Sequence, residues 1–345
     1  MRLRRSAVLR SPSTAAGRRS SAAALLLCSW ALAALAAEPL PALRAQASGV
    51  TVSGVSSGAY MAVQMHVAHS ATVSGAGVIA GGPYYCAHGS VFTAFYNCMT
   101  PGWWTPLPPV ATLKAQTDAL SLSRAIDSVR HLENSRAWLF SGGNDRTVSR
   151  EVVLALRDFY AAYKVQVTLV ADKAAGHAMV TEVRGNKCGS SEPPFIVDCD
   201  YDAAGVLLRA LLGKVNPRAE KETGRLVAFD QAPYAGDGAS LDASGFVYIP
   251  QRCEKERCRI HVAFHGCRQG ASDVGEEFVR YAGYNAWADT NGLIVLYPQT
   301  VKRFSPFAWN PRGCWDWWGY TGAAYHTQAG AQIRAVKAMI DRLSR

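Results

Sequence analysis

The chain has 345 residues and a formal net charge of +10, which taken alone would suggest an anionic partner such as nucleic acid. Most of that excess lies in the first 47 residues, and without them 29 basic residues face 25 acidic ones, a net charge of +4. The composition therefore argues against nucleic acid as a partner. Residues 48–345 have a length at which α/β folds often form a single domain, so we expect one catalytic domain.

The first segment has the features of an export signal. Residues 2–19 carry six arginines and no acid, and residues 22–37 are almost wholly apolar. This apolar stretch is too short to serve as a stable membrane anchor. Small residues allow cleavage after Ala36, Ala37 or Ala47. We therefore expect residues 1–47 to hold a secretory signal and leader, and the product to be secreted, either extracellular or periplasmic.

The rest of the chain alternates strand-like and helix-like segments, which predicts a mostly parallel central sheet flanked by helices. Residues 83–109 hold five prolines, two cysteines and many aromatic residues, and they predict an irregular, disulfide-tied insertion. Strands are expected over residues 49–55, 73–80, 137–141, 165–170, 226–229, 245–249, 259–264 and 293–297. Helices are expected over residues 57–69, 150–163, 277–290 and 322–343.

A candidate nucleophile lies between the first of these strands and the first helix. Gly54-Val55-Ser56-Ser57-Gly58 is a G-x-S-x-G motif, whose small residues permit the sharp turn that exposes a serine hydroxyl above a sheet. The motif by itself is weak, because small residues are common in turns. Its position after a strand and before a helix favours Ser56 as a nucleophile.

A serine hydroxyl needs a general base, and the base needs an orienting acid. Asp145 directly follows the strand expected over residues 137–141, and His177 follows the strand that ends at residue 170. The order serine, acid, histidine, with the last two just past strands, is that of the α/β-hydrolase fold. We therefore predict a Ser56–His177–Asp145 triad, with Asp172 as the competing acid.

The oxyanion of the intermediate needs two backbone N–H donors. The first is expected from Ser57, and the second usually comes from a His-Gly loop that precedes the nucleophile. Here the only such loop after a strand, His265-Gly266-Cys267, follows the triad. We therefore predict a circularly permuted α/β-hydrolase fold, in which the strand over residues 259–264 lies two places from that over residues 49–55, with residues 293–297 next to it.

The cysteines favour disulfide bonds over a metal site. With Cys28 in the leader, eight cysteines remain, an even number for an exported chain, and no C-x-x-C pair suggests zinc. Eight cysteines allow about 105 pairings. Proximity along the chain favours Cys86–Cys98, Cys188–Cys199, Cys253–Cys258 and Cys267–Cys314.

These motifs, in this order, together resemble poly(3-hydroxybutyrate) depolymerases, and most closely the single-domain, circularly permuted type. The segments that carry the resemblance are residues 54–61, 141–145, 176–178, 265–267 and the Cys-Trp-Asp-Trp-Trp run at 314–318. The resemblance implies Ser56, Asp145 and His177 as the triad, and the amides of Ser57 and Cys267 as the oxyanion hole. It also implies that Trp315 borders the substrate groove, near a bridge between Cys267 and Cys314.

The function that follows is hydrolysis of ester bonds in poly(3-hydroxybutyrate) or its oligomers through an acyl-enzyme, with no cofactor and no metal. Aromatic residues in 83–104 and 304–320 could form an apolar surface for a polyester chain. We expect a monomer with a polyester or oligoester substrate.

Two alternative functions remain. One is an esterase for feruloyl or acetyl-xylan groups, and the other is a non-catalytic binding protein on a hydrolase scaffold. The intact triad argues against the binding protein.

Overall fold

The computed structural model describes residues 37–236, 238–305 and 308–345. In this part of the chain, strands and helices alternate over most of the length. The strands are β1 Glu38–Pro39, β2 Val50–Val55, β3 Val73–Ile79, β4 Arg136–Phe140, β5 Gln166–Val170, β6 Met179–Thr181, β7 Asn186–Lys187, β8 Ile196–Asp198, β9 Arg225–Asp230, β10 Ser244–Ile249, β11 Arg259–Phe264, β12 Leu293–Tyr297, β13 Arg303–Ser305 and β14 Ala308–Asn310. The helices are α1 Ser57–Ala68, α2 Val91–Asn97, α3 Val110–Leu122, α4 Arg150–Ala161, α5 Ala203–Leu212, α6 Ala271–Val274, α7 Glu277–Tyr281, α8 Tyr284–Asn291 and α9 Ala331–Leu343.

One large sheet forms the centre of the domain. Its strands run in the order β1-β9-β10-β12-β11-β2-β3-β4-β5. Strand β10 is antiparallel to both of its neighbours, and the other pairs are parallel. Strands β2 and β12 are buried along their whole length, as expected where helices cover both faces of a parallel sheet. The predicted α/β class with a mostly parallel sheet is confirmed.

After the two-residue edge strand β1, the chain enters the middle of the sheet at β2. It builds outward from β2 to β5 at one edge, and then returns to build the other half from β9 to β12. This is the α/β-hydrolase arrangement with the chain ends moved to another point, so the predicted permutation is confirmed.

The predicted spacing of two strands was wrong in one respect. Strand β11 lies directly beside β2, paired in parallel so that Phe264 is opposite Gly54, and β12 lies on its other side. The carboxyl ends of adjacent parallel strands lie closest together at one edge of the sheet. Direct adjacency therefore brings the loops after β2 and β11 nearer to each other than the predicted spacing would.

Two predicted helices differ from those observed. The helix expected over residues 277–290 is divided into α7 and α8 at Gly283, whose φ is 93°. The helix expected over residues 322–343 begins only at Ala331, after a series of turns.

The insertion predicted to be irregular contains the helix α2, which Ser90 caps by accepting a hydrogen bond from the Thr93 N–H. Helices α3 and α5 were not predicted.

Part of the expected leader packs on the domain. Strand β1 pairs with β9, and the side chains of Leu40 and Ala45 are buried. The N–H groups of Leu43 and Ala45 donate to the Leu343 carbonyl at 3.1 and 2.9 Å. The basic head and the apolar run of the predicted signal, with Cys28, lie outside the described residues.

Within residues 37–345, as far as the structure describes them, four disulfide bonds stabilise the loops around the sheet. They join the pairs that proximity along the chain favoured: Cys86–Cys98, Cys188–Cys199, Cys253–Cys258 and Cys267–Cys314. None of the helices in the described part of the chain has the length and apolar content needed to cross a bilayer.

Candidate active site

The turn between β2 and α1 holds Ser56 in an unusual backbone conformation. Its φ is 57° and its ψ is −122°, which few residues other than glycine adopt. Close packing requires the glycines on either side. A Cβ on Gly54 would lie 2.2 Å from the Gly58 carbonyl oxygen, and one on Gly58 would lie 2.4 Å from the carbonyl oxygens of both Phe264 and His265. The motif therefore produces a tight strand–turn–helix that abuts the end of β11.

His177 and Asp145 meet through a hydrogen bond. The His177 Nδ1 lies 2.8 Å from the Asp145 Oδ2, and the Asp145 side chain is only 2% exposed. The other carboxylate oxygen of Asp145 accepts hydrogen bonds from the N–H groups of Thr147 and Val148 at 2.8 and 3.0 Å. These bonds fix the carboxylate in one orientation, with one oxygen directed at the imidazole.

Asp172 has a different environment. Its side chain is 73% exposed, and its partner is the neighbouring Lys173 ammonium at 3.3 Å. The structure thus brings Asp145 to His177 and leaves Asp172 on the surface.

Ser56 and His177 line the same cleft, which has a volume of about 130 Å³. Both residues are mostly buried, with 8% of their surface exposed. The His177 N–H also donates to the Ser191 Oγ at 2.8 Å, which anchors the histidine loop. Two arginines, Arg268 and Arg312, also line this active-site cleft, and its large apolar and aromatic side chains are Tyr60, Phe95, Met99, Phe195, Trp317 and Trp318.

The loop after β11 lies beside the serine. Gly266 and Cys267 line the cleft together with Ser56, and a Cβ on Gly266 would be 3.5 Å from the Ser56 Cβ. The Gly266 N–H donates to the Gln269 Oε1 at 2.7 Å. The late His-Gly-Cys loop is therefore on the same side of the sheet as the nucleophile turn.

Gln269 was not singled out from the sequence. It is 1% exposed, and its side-chain amide donates to the carbonyls of Phe195 and Pro194 at 2.8 and 3.2 Å. It thus connects the loop after β11 to the segment that also carries Ser191. Its position two residues after Cys267, in the loop predicted to hold an oxyanion donor, was a sequence signal for a role at this site. Nothing in the sequence marked Ser191.

The prediction that Trp315 borders the groove needs correction. Its side chain is fully buried and packs edge-on against Phe264 with ring centroids 4.9 Å apart. Trp317 and Trp318, two and three residues later, line the cleft instead. Trp317 stacks on Tyr60 of α1 at a centroid distance of 3.9 Å. The backbone turns after Trp315, so that the later tryptophans face the cleft and Trp315 faces the core.

A fold of this order, with a strained serine turn, a hydrogen-bonded His–Asp pair and an adjoining loop after β11, defines a serine ester hydrolase of the α/β-hydrolase class. A polyhydroxybutyrate depolymerase from Talaromyces funiculosus is 35% identical over 328 residues, which cover 90% of this chain and 94% of that protein. The chain therefore belongs to the PHB depolymerase family. The model of the family described as Esterase PHB depolymerase matches residues 243–344.

Other relatives agree with this assignment. A poly(3-hydroxybutyrate) depolymerase from Delftia acidovorans is 43% identical over 334 residues; the chain spans 65% of that protein's length. The crystal structure of a PHB depolymerase from Penicillium funiculosum superimposes with a TM-score of 0.80 at 34% identity, covering 89% of this chain and 98% of that one. A serine-to-alanine variant of a PHB depolymerase, complexed with an R3HB trimer, superimposes with a TM-score of 0.81 over the same shares.

Proposed function

We propose that the protein hydrolyses ester bonds of poly(3-hydroxybutyrate) or its oligomers through an acyl-enzyme. In the first step His177 takes the proton of the Ser56 hydroxyl as its oxygen attacks the ester carbonyl carbon. Asp145 holds the imidazole tautomer and stabilises the cation that forms. The tetrahedral oxyanion receives hydrogen bonds from the amides of Ser57 and Cys267. Collapse of this intermediate transfers the His177 proton to the leaving alcohol, and water then releases the acid by the same route.

The observation that carries this proposal is the hydrogen-bonded His177–Asp145 pair in one cleft with Ser56. The placement of Cys267 also supports it, because the loop that bears this amide lies against the serine. Its flanking amides are engaged, since the Gly266 N–H donates to Gln269 and the Arg268 N–H donates to the Arg312 carbonyl at 2.7 Å. The Cys267 amide thus lies between two fixed neighbours, as a preorganised donor requires.

A surface of exposed aromatic residues around the cleft supports a polyester substrate. A second, outer cavity of about 530 Å³ shares Phe95, Met99 and Trp318 with the active-site cleft. Helix α2 and the β13–β14 hairpin supply exposed rings that line this outer cavity or pack on its lining. These rings belong to Phe92, Phe95, Tyr96, Phe304 and Trp309. An apolar patch of this kind marks an interaction site, and a polyester chain has the matching chemistry.

The experiment that tests this proposal compares substrates. The purified protein is incubated with amorphous poly(3-hydroxybutyrate), a feruloyl ester and acetyl-xylan, and the soluble products are identified by mass spectrometry. We expect hydroxybutyrate monomers or short oligomers from the polyester and little product from the others. Preferential release of ferulate or acetate would favour the carbohydrate-esterase alternative.

We further propose that the protein is exported and that its leader is cleaved after Ala36 or Ala37. The rest of the chain, from the cleavage site to residue 345, then forms one domain, which we propose is a monomer. The packing of Leu40 and Ala45 against the end of α9 supports the earlier cleavage sites over Ala47, because cleavage after Ala47 would remove these contacts. N-terminal sequencing of the secreted protein and its mass in solution test both points.

A further inference from the structure

The lining of the active-site cleft and the outer cavity carries positive charge without negative charge. Among the described residues that line these two cavities, there is no Asp or Glu, and the charged side chains are three arginines. All three residues are exposed. None of them forms an ion pair within the described ranges. They are Arg146, Arg268 and Arg312.

Two of these arginines are held next to each other beside the Cys267 loop. The Cys267–Cys314 bond brings the two segments to a Cα–Cα distance of 4.2 Å, and the Arg268 N–H donates to the Arg312 carbonyl at 2.7 Å. The Arg268 guanidinium lies over the ring of Phe195, 5.1 Å from its centroid. Because Phe195 also lines the cleft, this contact directs the charge of Arg268 toward the place where the substrate must bind.

A neutral polyester gives no reason for these charges. The interior of such a chain carries only esters and alkyl groups, which the aromatic walls already suit. A guanidinium pairs best with a carboxylate, which it can bind through two parallel hydrogen bonds. The part of a hydroxy-acid oligoester that carries such a group is its free acid end.

We propose that Arg268 and Arg312 bind the terminal carboxylate of a short hydroxy-acid oligoester, so that the enzyme cleaves acid-ended oligomers in preference to neutral ones. This inference rests on the proposed ester hydrolysis and adds a preference for one end of the chain. The aromatic walls bind the chain, and the two arginines select the fragments whose last unit bears a negative charge.

The test compares the linear 3-hydroxybutyrate trimer with its methyl ester, which differs in the terminal charge. We expect kcat/KM at low salt to be about ten-fold higher for the acid, the size of one charge-assisted hydrogen bond discounted for exposure. The ratio should fall as salt screens the pair. Arg268→Gln and Arg312→Gln should each lower the ratio of the two kcat/KM values, and the double variant should bring this ratio to about one.

Arg225→Gln serves as the matched control, since Arg225 lies on β9 outside both cavities and pairs with Glu254. It should leave the ratio unchanged. Equal rates on the two trimers, or a preference that survives the double variant, would overturn this inference while leaving the proposed function intact. A wild-type protein that hydrolyses neither trimer nor amorphous polymer would remove the proposed function, and this inference with it.

Discussion

At the scale of single residues, the turn at Ser56 stores backbone strain where the chemistry is proposed. A residue other than glycine in such a conformation costs about 1–3 kcal/mol, and the surrounding packing must offset this cost. The buried strand β2 and the fully buried helix α1 provide that packing. The side-chain oxygen of Ser56 is not needed for this packing, because Ser56 lines the cleft and its hydroxyl does not pack in the core.

Replacing Ser56 by alanine should therefore remove hydrolysis without unfolding the domain. We expect the Ser56→Ala variant to lose at least about 10³-fold in kcat, since a triad member is typically worth several orders of magnitude. Ester hydrolysis and the unfolding midpoint in urea are measured side by side. Activity above a thousandth of wild type with an unchanged midpoint would argue against Ser56 as the nucleophile.

The orienting role proposed for Asp145 is tested by exchanging each of two aspartates for its amide. Asp145→Asn should lower kcat by about 10⁴-fold, because an amide that donates to Nδ1 stabilises the wrong imidazole tautomer. Asp172→Asn serves as the control and should retain full activity, since its carboxylate is exposed and contacts Lys173. A larger loss in the Asp172 variant than in the Asp145 variant would reverse the assignment.

At the scale of elements, two segments position the active-site cleft: the loop after β11 and the loop after β14. The Cys267–Cys314 bond joins them directly. The Trp315 N–H donates to the Ser57 Oγ at 3.2 Å, which ties the second segment to the nucleophile helix as well. The proposed oxyanion donors on Ser57 and Cys267 are thus both connected to residues 314–315.

Breaking this bond should affect activity before stability. We expect the Cys267→Ser/Cys314→Ser double variant to lose kcat by at least about ten-fold, because the loop that bears the proposed donor is no longer fixed. Far-ultraviolet circular dichroism should show a folded domain at the temperature of the assay. The Cys253→Ser/Cys258→Ser variant is the matched control, because its bond lies before β11, whereas the Cys267 loop follows the other end of that strand. Equal losses in the two variants would contradict a specific role for the Cys267–Cys314 bond.

The loop that carries Trp317 and Trp318 is organised by one buried carboxylate. Asp316 is fully buried; its Oδ1 accepts from the N–H groups of Trp318, Gly319 and Tyr320, and its Oδ2 accepts from the Thr321 N–H and hydroxyl. Burial raises the pKa of Asp316, and these hydrogen bonds oppose that rise. The charge is therefore held in place by donors of its own loop.

Asp316→Asn should disturb this loop, because an NH₂ group would replace one of the two carboxylate oxygens. That group donates hydrogen bonds, so it would face the N–H donors of the loop without an acceptor between them. We expect a loss of about 1–3 kcal/mol in the free energy of unfolding, the cost of leaving buried donors unpaired. We also expect a higher KM for oligoesters with a smaller change in kcat, since the tryptophans contact substrate in the proposed complex and the triad is untouched. A change in kcat alone would contradict this account.

At the scale of the whole molecule, buried neutral histidines link stability to pH. Burial lowers the pKa of His66 and His261 to about 3 and that of His265 to about 4. His66 lies between Tyr160 and Ser135, His261 between Thr51 and Ser53, and His265 contacts the Gly266 carbonyl. None of these three side chains belongs to the proposed triad.

The sign of the effect follows from proton binding. Between pH 6.5 and about 4 the unfolded chain binds protons at these histidines and the folded chain does not, so stability rises with pH in this window. We expect the free energy of unfolding to fall on acidification from pH 7 to 5, by on the order of 1–2 kcal/mol for each such histidine. Urea titrations at several pH values measure this, and His261→Gln should show a shallower fall than wild type. An identical slope in the two proteins would exclude His261 as a contributor.

The sequence by itself determined the fold class and the permutation, and it singled out Ser56 and His177 as the proposed nucleophile and base. The strand and helix patterns were regular enough to mark β2, β11, β12 and α1. Gly54 and Gly58 indicated the tight turn, since any side chain at these positions would collide with the backbone. The residue order also exposed the late His-Gly-Cys loop, because the position of a motif along a chain requires no coordinates.

Only the tertiary structure decided what depends on three-dimensional packing. The resemblance implied that Trp315 borders the groove, whereas the turn after it directs that ring to the core and leaves Trp317 and Trp318 in the cleft. Which of two aspartates meets His177 depends on the path of two loops, and it was resolved by a 2.8 Å contact. Contacts between segments distant in sequence also produce the adjacency of β2 and β11 and the hydrogen bonds of Gln269 and Ser191. The same holds for the backbone hydrogen bond that keeps Arg268 beside Arg312. Periodicity and motifs report local preference, and they carry no information on which distant backbone a side chain will meet.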